Sequence, residues 1–149
     1  MSGRSKMNRW FSIVTIVIGA VMVVAGIATW ATISKTLGDQ KITVSADASC
    51  MAGRDVRGPI TAYCQADVIN HHALEATGGK TYAELDQDDP TRTTAMTASF
   101  LQASLYTSVV AFGVALMAIG IGLVFILLGV AVLHLSSSPK YVPLEAPAP

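Results

Sequence analysis

Charge is missing from two long stretches of this sequence: Phe11 to Ile33 and Ser108 to Leu135 contain no Asp, Glu, Lys or Arg. That absence excludes a solvated surface role for either stretch. A helix needs about 20 predominantly apolar residues to cross hydrocarbon, and lipid offers no partner for a bare backbone group, so both stretches are expected to be helical throughout. Neither contains the buried acid or base that an ion or proton pathway needs, which argues against a channel or pump acting alone. No charge of one sign dominates either, since ten bases balance ten acids. With no basic stripe interleaved with aromatics, nucleic acid is excluded as a partner. Cysteines number only two, no N-x-S/T sequon occurs, and no repeat appears at a solenoid period.

What is present predicts an all-α membrane protein: two transmembrane helices with a small, mostly helical extracytoplasmic domain inserted between them. The expected boundaries are a basic tail over 1–10, a first span over 11–33, the inserted domain over 34–106, a second span over 107–135 and a Pro-rich tail over 136–149. Arg4, Lys6 and Arg9 precede the first span with no acid among them, whereas Ser34 to Tyr106 holds six bases and nine acids, a net charge of −3. The positive-inside rule then puts both termini in the cytoplasm and the middle segment outside the cytoplasmic membrane. The first apolar run exceeds a secretory h-region and is followed by no clean cleavage site, so it reads as an uncleaved signal anchor.

Trp10 and Trp30 lie 20 residues apart, which at ~1.5 Å per residue is about the thickness of the hydrocarbon. They read as interfacial anchors. His134, near the end of the second run, reads as another, facing the helix C-terminal dipole. Thr15, Gly19, Met22, Gly26 and Thr29 recur at spacings of three and four on the first run. Ala111, Ala115, Ala118, Gly122 and Gly129 do so on the second, with Phe125 or Ile126 filling the gap. Small residues let helix backbones approach closely in lipid, and these faces suit a helix hairpin or docking onto a larger membrane partner.

Between the runs, Lys41 to Ser45 is a candidate short strand, and Gly53 to Pro59 reads as turn-rich. Gln65 to Thr77 should be helical and stop at Gly78-Gly79. Thr81 and Glu84 have capping-box spacing, and Asp89-Pro90 should open a helix continuing into the second span. Met96, Phe100, Leu101 and Leu105 would give that helix an apolar edge outside the membrane. The tail after Leu135 holds four of the six prolines, a composition that favours an extended chain.

Cys50 and Cys64 would lie in the oxidising compartment, where a disulfide is the natural reading. A zinc site completed by His71 and His72, or two free thiols, are the alternatives. Asp67, His71 and Glu75 follow one another at i, i+4 on a helix face. That is either a metal-binding edge or a solvated face with stabilising pairs, and the solvated face is the simpler reading. No cofactor is expected.

The segments KITVSADA, GPITAYCQADVINHHALEATGGKTYAELD and DDPTRTTAMTASFLQASLYTSVVAFGV resemble a family of small two-span membrane proteins of actinobacteria. Members of that family often carry the label aromatic ring-opening dioxygenase. Such an activity needs two histidines and a carboxylate converging on one metal. His71 and His72 are adjacent and diverge on a helix, and His134 should lie across the bilayer from both. The resemblance therefore implies architecture, and no catalytic residue follows from it. The expected function is non-catalytic: an accessory or scaffold subunit in contact with the lipid bilayer and with other membrane subunits or a second copy. A metal-dependent enzyme at Asp67, His71 and Glu75 is one alternative, and a sensor of envelope state signalling through the Pro-rich tail is another.

Overall fold

A computed structural model of the chain describes residues 2–137, with side chains over 6–136; the Pro-rich tail expected beyond them lies outside the described residues. Three helices account for most of the structure: α1 (Ser2–Asp39), α2 (Pro59–Ala76) and α3 (Arg92–Ser137), with one 3-10 turn at Tyr82–Glu84. α1 and α3 are long and apolar enough to cross a membrane, and only 17% and 11% of their most apolar windows are buried. The core helix of a soluble protein would be mostly covered, so these two helices are compatible with a membrane protein.

The chain divides into two compact units. One joins α1 as far as Val24 to α3 from Ile119. Its seam follows a seven-residue rhythm: Ser12 and Gly19 are buried on α1, Gly122 and Gly129 on α3. Such a repeat keeps one helical stripe facing its partner over several turns. The glycines permit backbone contact, because a Cβ on Gly19 would stand 2.5 Å from the Gly122 carbonyl oxygen and one on Gly122 would stand 2.6 Å from that of Gly19. A Cβ on Gly129 would stand 2.5 Å from the Ile16 side chain and 2.9 Å from the Ser12 carbonyl oxygen. Large side chains turn outward instead, among them Val17, Val21, Leu123 and Leu127.

The second unit, Ala25–Ala118, contains the segment between the long helices. Leu37 of α1, Ala62, Cys64 and Ala66 of α2, Leu105 and Phe112 of α3, and Val44 and Val56 of the intervening loop form its core. Trp30 packs edge-on against Phe112 with ring centroids 4.7 Å apart. The expected strand over Lys41 to Ser45 is corrected: among the described residues there is no strand, only one antiparallel bridge between Thr43 and Asp55. Positive φ at Lys41, Met51 and Gly53 turns the chain too sharply on either side for a ladder to extend. Three backbone bonds hold the turn, Val44 N–H to Arg54, Gly53 N–H to Val44 and Val56 N–H to Ile42, each 2.9 Å.

α2 starts six residues before the expected Gln65. Pro59 occupies its first turn, where a missing N–H costs nothing, and the Thr61 hydroxyl accepts from the N–H groups of Arg57 and Gly58 at 3.2 Å while donating to the Gly58 carbonyl at 3.0 Å. It ends where expected, with Gly78 and Gly79 at φ 66° and 86° and the Gly79 N–H returning to the Leu74 carbonyl at 2.7 Å, a left-handed C-terminal closure that glycine adopts freely. At Thr81 the Glu84 carboxylate accepts from both the N–H (2.8 Å) and the hydroxyl (2.7 Å). α3 opens at Arg92, two residues after Pro90, because the Asp89 carboxylate accepts from the Thr91 N–H and hydroxyl at 2.8 and 2.6 Å.

Candidate functional site

The candidate side chains gather on the second unit, around α2 and the first four turns of α3. Cys50 and Cys64 are joined in a disulfide, their Cα atoms 5.7 Å apart, and Cys64 is buried. The bond fixes the loop after α1 to the buried face of α2. A second tie lies further along the same helix, where His72 Nε2 meets Asp47 Oδ2 at 2.5 Å. This contact holds the Asp47 carboxyl below the usual carboxylate range, with the Asp47 backbone N–H adding to the effect. On a helix His72 diverges from His71 and falls off the face shared by Asp67, His71 and Glu75. Asp47 is 25 residues distant, so no spacing within the helix pattern announces the pair.

His71 instead pairs with Glu75 at 3.2 Å, both side chains well exposed. Asp67 lies one turn earlier on the exposed face. Among the described residues no group of three His, Cys, Asp or Glu side chains is arranged to hold a metal ion. The pairs on α2 are those of a solvated helix face, each histidine engaged by a different carboxylate.

The apolar edge foreseen on α3 is divided. Leu105 is buried, whereas Met96, Phe100 and Leu101 are 39%, 68% and 48% exposed. The residues that α3 buries in their place are the small Ala95 and Ala98, which allow close approach of the surrounding chain. Of the trio only Leu101 lines the groove between the helices, together with Thr97 and Ala98 of α3 and Ile69, His72, Ala73 and Ala76 of α2. Exposed large apolar side chains such as Met96 and Phe100, which lie away from that groove, are of the kind that partners cover.

The small-residue positions distribute unequally. Gly19, Gly122 and Gly129 lie in the seam of the first unit, with Thr15 half-buried beside them. In the second unit Gly26 and Ala115 are buried and Ala118 is half-buried, while Thr29 is exposed and takes no part. The close backbone approaches of Gly19 and Gly122 are spent on each other. Of the two tryptophans, Trp10 is 67% exposed, and Trp30 is partly covered by Phe112.

No protein-family model, curated protein or solved structure matches this chain.

Proposed function

We propose that this chain is a non-catalytic two-pass membrane protein, an accessory or scaffold subunit that carries a disulfide-stapled cap outside the cytoplasmic membrane. The exposure of Met96, Phe100 and Leu101 on α3 carries this reading. α3 is 46 residues long, about 70 Å at the α-helical rise, more than twice the ~30 Å of hydrocarbon. The turns bearing Met96, Phe100 and Leu101 therefore extend into the aqueous cap, where exposed large apolar side chains are costly unless a partner covers them.

The hairpin glycines pack against each other, which leaves the cap and the outward Val and Leu faces as the surfaces through which a membrane partner docks. The acidic balance of the inserted segment and the basic N-terminal tail support cytoplasmic termini and an external cap. A disulfide is at home in that compartment.

The test is purification in mild detergent with identification of co-purifying membrane proteins, comparing the native chain with Phe100→Glu and Leu101→Glu. A reproducible complex weakened about 30-fold or more by either charge, the effect of losing an interface hot spot, is the expected result. A complex indifferent to both substitutions would remove this surface from the reading, and purification as a solitary chain would remove the accessory role.

A further inference from the structure

Trp30 forms one wall of a cavity of about 850 Å³ in the Ala25–Ala118 unit, a volume within the range of small-molecule sites. The other walls come from the loop and first turn that lead into α2. Arg54, Asp55 and Arg57 are the charged residues of the lining, and Pro59 and Ile60 add apolar surface. We propose that this cavity binds the phosphate of an anionic phospholipid, with the guanidinium groups of Arg54 and Arg57 on the phosphate oxygens and Trp30 at the hydrocarbon side. The inference rests on the membrane-spanning reading above.

Both cations stand on a fixed backbone. Val56 between them is completely buried, and its N–H donates to the Ile42 carbonyl at 2.9 Å, while the Arg54 carbonyl accepts from the Val44 N–H at the same distance. Anchoring the residue between them leaves Arg54 and Arg57 both exposed. The Arg57 guanidinium rests against Gly38 of α1, where a Cβ would stand 3.1 Å from its Cζ and 3.2 Å from Nη1. Its Nε faces Asp55 at 3.6 Å, longer than a hydrogen bond, and its Nη groups make none among the described residues. The Arg54 guanidinium has neither a hydrogen bond nor an ion pair among them. Two planar forks with open donors in one cavity match phosphate, whose oxygens guanidinium binds bidentately. Two bases and one acid give the lining a net charge of +1, which a phosphodiester of charge −1 neutralises.

Position selects a lipid phosphate over one in solution. Trp30 lies near the end of the charge-free run that stops at Lys35, and Gly38, where Arg57 rests, follows Trp30 by eight residues, about 12 Å along α1. Headgroups extend about 5–8 Å beyond the hydrocarbon on each side. A cavity that reaches from Trp30 to Arg57 therefore spans the layer in which lipid phosphates lie.

The experiment uses the full chain reconstituted into vesicles of phosphatidylglycerol and phosphatidylcholine in equal parts. After flotation and extraction in mild detergent, retained phospholipid is counted by native mass spectrometry. The native chain should retain one phosphatidylglycerol, about tenfold more often than phosphatidylcholine. Arg54→Gln and Arg57→Gln should each lower that retention about tenfold, the loss of one hydrogen bond to a charged group, with helicity and the disulfide intact. Asp55→Asn should raise it. Lys80→Gln removes a charge outside the cavity and should leave retention unchanged. Equal retention of the two lipids, indifference to both Arg substitutions, or an equal loss with Lys80→Gln overturns the site. Displacement of the lipid by millimolar inorganic phosphate overturns the choice of a lipid phosphate. Failure of the chain to float with vesicles at all overturns the membrane reading instead.

Discussion

Gly19 and Gly120 are both helical glycines, yet they should respond oppositely to substitution. A methyl on Gly19 meets the Gly122 carbonyl oxygen at 2.5 Å, whereas one on Gly120 meets nothing within 4 Å. Gly19→Leu must part the two backbones, and overpacking of this kind costs about 1–3 kcal/mol. Gly120→Ala should be neutral or slightly stabilising, since alanine is the better helix former by up to about 1 kcal/mol. Thermal unfolding in detergent, read from the helical circular dichroism, distinguishes the two. The carboxylates of the second unit make a different residue-scale statement. Asp47 is held down by His72, Glu84 by the N–H and hydroxyl of Thr81, and Asp89 by the hydroxyl and N–H of Thr91. A carboxylate whose folded pKa lies below its unfolded value adds stability above the unfolded pKa, and that stability disappears as pH falls through the folded one. The unit should therefore keep its thermal midpoint from neutrality to about pH 5 and lose it below about pH 4. Asp47→Asn and Asp89→Asn should each flatten that fall, and an unchanged profile would show that these contacts are equally present in the unfolded chain.

Among the elements, the loop between α1 and α2 depends most on covalent help. It has one β-bridge and no ladder, and its large buried side chains are Val44 and Val56. Cross-linking positions 14 residues apart restricts the unfolded loop by about 3 kcal/mol in the chain-entropy account. Reduction, or Cys50→Ala, should therefore expose this loop to protease while α1 and α3 keep their helicity. Limited proteolysis mapped to residues 40–58, with and without reductant, checks this, and equal resistance in both states would show that the hydrogen bonds suffice. What was legible in the sequence follows the same division between local and distant causes. The stop at Gly78-Gly79, the capping pair Thr81 and Glu84, and the two long helices are written in adjacent residues. Pro59 was legible too, as a first-turn proline, but it sits in a stretch whose glycines read as turn. The pairing of His72 with Asp47, the cover that Phe112 gives Trp30 and the choice of Ala95 and Ala98 over Met96 and Phe100 as the buried face all depend on segments remote in the chain. No local periodicity carries them.

At the scale of the whole molecule, charge placement is the economical determinant. α3 has no Asp, Glu, Lys or Arg after Arg92 within the described residues, and α1 has none between Arg9 and Lys35. Orientation must then be decided by the few charges at the ends of the apolar runs. Arg4, Lys6 and Arg9 stand together before the first run, while the bases of the inserted segment are diluted by nine acids over a loop too long for each to count fully. In the orientation proposed above, with that N-terminal cluster in the cytoplasm, the Cys50–Cys64 disulfide would lie outside, in the compartment where disulfides form and persist. On that proposal orientation and covalent stability are coupled: the three cations that would set topology would also decide whether the loop acquires its staple. In intact cells, a membrane-impermeant maleimide should label Cys50 and Cys64 only after reduction. Replacing Arg4, Lys6 and Arg9 with Gln should lower the labelled fraction and, in the inverted population, leave the same cysteines as free thiols reactive only to a permeant reagent. Native labelling confined to the permeant reagent would place the inserted segment in the cytosol and remove the external cap from the reading.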